Sequence, residues 1–173
     1  MKTLKRLIIY LSLSVAGLVL AKGVWLNISK TECGYLFKGA AKYDTWSFDI
    51  TGSTIQTFED RGRAFANIDG IILQILRTPI AALPEGEPLE QHYLYETNHL
   101  EKLGVLIEES NRCSGLNIPH KEWRAVIPGK SNSTYLTIYA NHYILSVVVA
   151  TETDFPTEQA ITKLESLCMS LNS

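Results

Sequence analysis

Much of what a 173-residue chain could carry is missing here. Its eleven glycines are scattered, and no Gly-x-x-x-x-Gly-Lys-[Ser/Thr] run exists to cradle a phosphate. Gly52-Ser53-Thr54 lacks the G-x-S-x-G frame of a nucleophile elbow. Neither C-x-x-C nor H-E-x-x-H occurs, so the common redox and zinc-protease signatures are absent. Three of the 16 basic residues fall in the first 21 positions and none of the 18 acidic ones do, leaving 13 against 18, a charge of −5. A mildly acidic body without a basic run argues against nucleic acid and against an anionic membrane surface as partners.

The chain does have an N-terminal hydrophobic run. Lys2, Lys5 and Arg6 precede an uncharged stretch, residues 7–20, and Ala21 offers a small residue for cleavage. Residues 1–21 are therefore expected to be a signal peptide, and 22–173 a single domain. As a helix the run would rise only about 21 Å, short of the roughly 30 Å of hydrocarbon in a bilayer. An uncleaved N-terminal anchor is the rival reading, and both readings export the body to the periplasm or beyond. After cleavage no membrane span is expected.

Export places Cys33, Cys113 and Cys168 where disulfides persist. Cys33 and Cys113 sit in turn-like sequence, whereas Cys168 shares helical spacing with Ile161, Leu164 and Leu171. The expected bridge is Cys33–Cys113. Sequons at Asn27 and Asn132 matter only in a eukaryotic host.

Two hairpins organise the body. Asp69-Gly70 predicts a type I′ turn, pairing Ile68 with Ile71, Ala66 with Leu73 and Ala64 with Ile75. Asn141-His142 is a weaker turn that pairs Ala140 with Tyr143, Ile138 with Leu145 and Leu136 with Val147. The period of two gives each hairpin one apolar face and one mixed face. A helix follows each. The first carries Leu89, Tyr93, Thr97, Leu100 and Leu103 as a stripe, with Gly104 as its stop; the second buries Ile161, Leu164, Leu167, Cys168 and Leu171. Shorter strands are expected near 45–50, 53–58, 105–109 and 123–127. The expected fold is α+β, a mostly antiparallel sheet of six to seven strands with two main helices, the hairpin-then-helix plan occurring twice.

The last third, TYLTIYANHYILSVVVATETDFPTEQAITKLESLCMSL, resembles the ending of Mog1/PsbP-like α/β modules: a strand pair, a polar link and a helix closing on Ser166-Leu167 and Ser170-Leu171. The likeness spans about 40 residues and contains no diagnostic motif. It implies an α/β/α arrangement around an antiparallel sheet, and modules that bind partner proteins more often than they catalyse.

Few residues suggest chemistry. His92, Glu96 and His99 stand at i, i+4 and i+7 of a helix and form a weak metal-binding candidate beside the plainer reading of a solvated helix boundary. Arg61 and Arg63 lie beside the first hairpin and could serve a contact patch. Tyr135, Thr137, Tyr139 and Ser146 share the mixed face of the second hairpin, a candidate partner surface if no helix covers it. Trp25, Trp46 and Trp123 read as core or edge residues. No cofactor is expected. The leading expectation is an exported, non-catalytic envelope protein that binds a protein partner, in one form an immunity or inhibitor protein against a toxin or enzyme outside the cytoplasm. The alternatives are a small metal-dependent hydrolase using His92, Glu96 and His99, and a small-ligand or lipid carrier.

Overall fold

The computed structural model describes residues 25–41, 44–60, 63–151 and 157–171, with no account of the side chains of 58–60. The expected signal peptide and Arg61 lie outside the described residues. The architecture is α+β, built from two antiparallel sheets and two helices.

A three-stranded sheet comes first, in the order β1 (Leu26–Lys30), β2 (Gly34–Gly39) and β3 (Ser47–Thr51). The first hairpin of this sheet was not anticipated, because its turn, 31–33, has no Gly-containing hairpin dipeptide. Phe37, Trp46 and Phe48 stack at its centre.

The chain then enters a seven-stranded sheet. Its strands are β4 (Ile55–Asp60), β5 (Arg63–Ile68), β6 (Ile71–Pro79), β7 (Leu106–Glu109), β8 (His120–Ile127), β9 (Ser131–Ala140) and β10 (Tyr143–Thr151). The spatial order is β4-β5-β6-β10-β9-β8-β7, with every neighbour antiparallel. Two meanders thus meet where β6 pairs with β10.

Both hairpin registers are as the turns dictate. Ile68 pairs with Ile71 and Ala64 with Ile75; Ala140 pairs with Tyr143 and Leu136 with Val147. Asp69 and Gly70 both take positive φ, 51° and 88°, as a type I′ turn demands, whereas in the second hairpin Asn141 is positive at 56° and His142 is not, the pattern of a type II′ turn. The apolar faces of the two hairpins are continuous across the β6–β10 junction and form the main core with Phe37, Phe48 and Ile50.

Helix α1 (Pro88–Lys102) connects β6, near the middle of the sheet, to β7 at its edge. It must cross the face over β10, β9 and β8, and it packs there. Glu87 caps its start, its carboxylate accepting from the backbone N–H groups of Leu89 and Glu90. Gly104, at φ 78°, takes the left-handed backbone that ends it. Helix α2 (Glu158–Ser170) covers the opposite face with Ala160, Leu164 and Leu167, and lies along the open edge of β3. The Ser170 hydroxyl accepts from Asp49 N–H at 2.7 Å and the Ser166 hydroxyl donates to Asp49 C=O at 3.1 Å, so helix side chains satisfy that strand edge.

Two expectations are corrected. The bridge is Cys113–Cys168, with Cα atoms 5.4 Å apart, and Cys33 is exposed and free. Glu122 explains how Cys113 reaches α2: its carboxylate accepts from Ser110 Oγ and from the N–H groups of Arg112 and Cys113, which folds the 110–119 loop inward. The second correction concerns the mixed face of β9–β10. Helix α1 lies over it, so Tyr135, Thr137 and Ser146 are buried and only Tyr139 is exposed. Asn132 is also buried, its side-chain amide donating to Thr151 Oγ1 at 2.6 Å, whereas Asn27 is exposed.

Candidate functional site

The face beneath α1 is unusually polar for a helix-covered sheet. In one cross-strand row Gln74, Val148, Tyr135 and Trp123 lie side by side; the next holds Leu76, Ser146, Thr137 and Lys121; a third holds Thr78, Ile144 and Tyr139. Gln74, Thr78, Thr137 and Ser146 are all buried. The helix answers with polar groups of its own. His92 and Glu96, one turn apart, are buried rather than solvated, and the expected stripe is rotated so that Leu103 points out to solvent.

These groups enclose a small chamber lined by Gln74, Leu76, His92, Glu96, Tyr135 and Ser146. Its void is about 10 Å³, roughly the space of one water molecule. Thr78 Oγ1 lies 3.2 Å from His92 Nε2. Among the lining residues, His92 Nδ1, Gln74 Nε2 and Ser146 Oγ are buried with no hydrogen-bond partner in the protein. One wall is aromatic: Tyr135 stacks on Trp123 with centroids 3.7 Å apart, and Tyr93 of α1 meets Trp123 edge-on.

Burial sets the charge state. It pushes the Glu96 carboxyl up to about 7 and pulls His92 down to about 4, because each loses hydration in its charged form. Burial, with the Glu96 carboxylate next in importance, raises the Tyr135 phenol as well. The chamber therefore holds neutral His92, neutral Tyr135 and a carboxyl near its midpoint at neutral pH. Two carboxyl- and imidazole-bearing side chains with displaced pKa values in one cavity are the kind of arrangement that also occurs at reactive sites.

Of the metal candidates, His92 and Glu96 share the chamber, while His99 sits half-buried farther round the helix. Among the described residues no group of three or more His, Cys, Asp or Glu is placed to hold a metal ion. Arg63 is half-buried at the start of β5, paired in register with Asp60 and Leu76, well apart in the sheet from Tyr139. Sequence reasoning did not bring Gln74 and Ser146 together with His92 around one chamber. The available signal was a polar residue in the middle of an apolar strand in both cases.

A second polar contact lies on the α2 side. Lys163 is buried and donates to Thr51 C=O at 2.8 Å and to Asp69 Oδ2 at 3.2 Å. Asp69 also accepts from Thr54 N–H and Ser53 N–H, and the backbone donors, first Thr54 and then Ser53, hold its carboxyl down at about 2. The turn residue of the first hairpin thereby ties α2 to the β3–β4 link.

The class of protein these features define is an α+β domain of two antiparallel sheets with a small polar chamber under one helix. Comparison with known protein families, curated proteins and solved structures finds no match in any of the three. Among the described residues no helix is long and apolar enough to cross a membrane.

Proposed function

We propose that the protein is an exported, non-catalytic binding protein of the envelope that engages a protein partner, in the manner of an immunity or inhibitor protein. The observation that carries this reading is the corner where α1 ends and the sheet edge begins. Leu103 and Leu106 are exposed there, 57% and 53%, next to β7, whose outer edge pairs with no strand among the described residues, with Leu94 exposed on the preceding helix turns. Glu101, Glu108 and Glu109 are exposed around them, Glu108 also pairing with Arg124. Exposed leucines among an excess of carboxylates, with Lys102 also exposed, beside an edge strand suit an extended, basic segment that adds a strand to β7. The Cys113–Cys168 bridge supports an oxidising compartment, and the N-terminal run supports export.

The rival readings have less support. A lipid or ligand carrier needs internal volume, and the voids under α1 and α2 each hold about 10 Å³. A metal hydrolase needs His99 beside His92 and Glu96. The test is capture from an envelope extract with the full chain, repeated with the Leu103→Lys/Leu106→Lys variant. A partner lost by the double variant, and inhibited by the purified wild-type protein, is the expected result. A captured protein indifferent to both substitutions, or turnover of a substrate by the pure chain, sinks the reading.

A further inference from the structure

Gln74 on β6, Ser146 on β10 and His92 on α1 line one void, and each carries a buried polar atom that finds no partner among the others. Buried polar groups in folded proteins are nearly always hydrogen-bonded, and sets of two to four such groups around a water-sized space are where internal waters reside. We propose that the chamber beneath α1 is a binding site for a single ordered water, held jointly by Gln74 Nε2, His92 Nδ1 and Ser146 Oγ. This water is the link by which the polar face of α1 docks on the polar face of the sheet.

The chemistry of the lining selects this occupant. A water offers two donors and two acceptors, which matches one fixed donor, Gln74 Nε2, and two groups that serve in either sense, the Ser146 hydroxyl and the His92 imidazole. Glu96 completes the set, donating as the neutral acid and accepting as the carboxylate. A cation would need fixed negative charge, and the single carboxyl here is held largely neutral below about pH 7 by its burial. An anion would lie against that same carboxyl and meets no cationic side chain in the lining. An organic ligand exceeds the volume. Gln74 pairs with Val148 and Ser146 with Leu76, so the two are diagonal neighbours across the β6–β10 pair, and their side chains make no direct bond to each other. Diagonal neighbours of that kind stand roughly 7–8 Å apart at Cα, a span that a bridging water fills.

The test uses the full oxidised chain. In a crystal structure that shows ordered solvent, one spherical peak is expected within about 2.7–3.2 Å of all three atoms. In solution, the Gln74 side-chain amide is expected to show a cross-peak to water of opposite sign in NOE and ROE spectra, the mark of a long-lived bound water. Both signals should vanish in Gln74→Met/Ser146→Ala while the far-UV circular dichroism is retained. If that variant does not fold, the wild-type density and cross-peak decide alone. An empty chamber, a direct bond among the three side chains, or density too large for water overturns the proposal.

Discussion

His92 and Glu96 face the same void from consecutive turns of α1, and their titrations oppose each other. The Glu96 pKa rises on folding from 4.5 to about 7, so the folded state holds a proton that the unfolded chain releases, and its contribution falls as pH climbs through that window. The His92 pKa falls from 6.5 to about 4, so its contribution is complete above 6.5 and lost as pH falls towards 4. Between about 4.5 and 6.5 the two slopes cancel, and wild-type stability is expected to be nearly flat. Glu96→Gln leaves the histidine alone, and stability should then rise with pH across that interval. His92→Gln leaves the acid alone, and stability should fall. One uncompensated proton amounts to about 1.4 kcal/mol per pH unit, so the two variants diverge by several kcal/mol over two units. Urea midpoints measured at intervals of pH check this; parallel profiles for the two variants would contradict it. The i, i+4 spacing of His92 and Glu96 was legible in the sequence. Their burial was not, since it depends on Gln74 and Ser146 from strands distant in sequence.

At the level of elements, the turns did most of the specifying. Asp69-Gly70 and Asn141-His142 each place positive φ where a two-residue loop needs it, and a period of two then assigns every side chain of both hairpins to a face. That is why the registers of β5 with β6 and of β9 with β10 were legible, although β6 runs on to Pro79 and β9 starts earlier, at Ser131. The three-stranded sheet was legible only at β3, because β1 and β2 depend on partners rather than on a local turn signal. Its weakest tolerance is at Gly34. A Cβ there would stand 2.0 Å from the backbone oxygen of Ile50 and 2.8 Å from Thr51 Cα, in the strand that pairs with it. Neither neighbour is a flexible side chain that can turn away. Gly34→Ala should therefore part β2 from β3 and cost about 3 kcal/mol, at the upper end of ordinary overpacking. Because β3 also receives Ser166 and Ser170 of α2, hydrogen exchange should quicken in β2, β3 and the end of α2 before it does in the central β9–β10 pair. A variant with unchanged stability would show that the sheet edge yields more readily than this geometry allows.

For the whole molecule, coverage of the second hairpin's mixed face follows from topology. The run from β6 to β7 must pass over β10, β9 and β8, so the helix that follows the first hairpin lands on the second. No local pattern announces that crossing, and the tyrosine-bearing face looked open for want of it. The cysteines pose the same long-range question. Cys168 has the spacing of a core residue and is also within reach of Cys113, because Glu122 draws the 110–119 loop toward α2. The Cys113–Cys168 bridge spans 55 residues and encloses β8, β9 and β10. On the chain-entropy account its removal costs roughly 4 kcal/mol, since a loop of that length regains its freedom in the unfolded chain. Cys113→Ala/Cys168→Ala should lower unfolding stability by about that amount, and reductant should affect the double variant no further. Cys33→Ser, at an exposed turn, should change stability by under about 0.5 kcal/mol and leave the response to reductant intact. Thiol titration of the native oxidised protein should find one reactive group per chain and none in Cys33→Ser. A wild-type chain whose unfolding is insensitive to reductant, or a Cys33→Ser protein that has lost its bridge, would reassign the pairing and with it the packing of α2 on the loop.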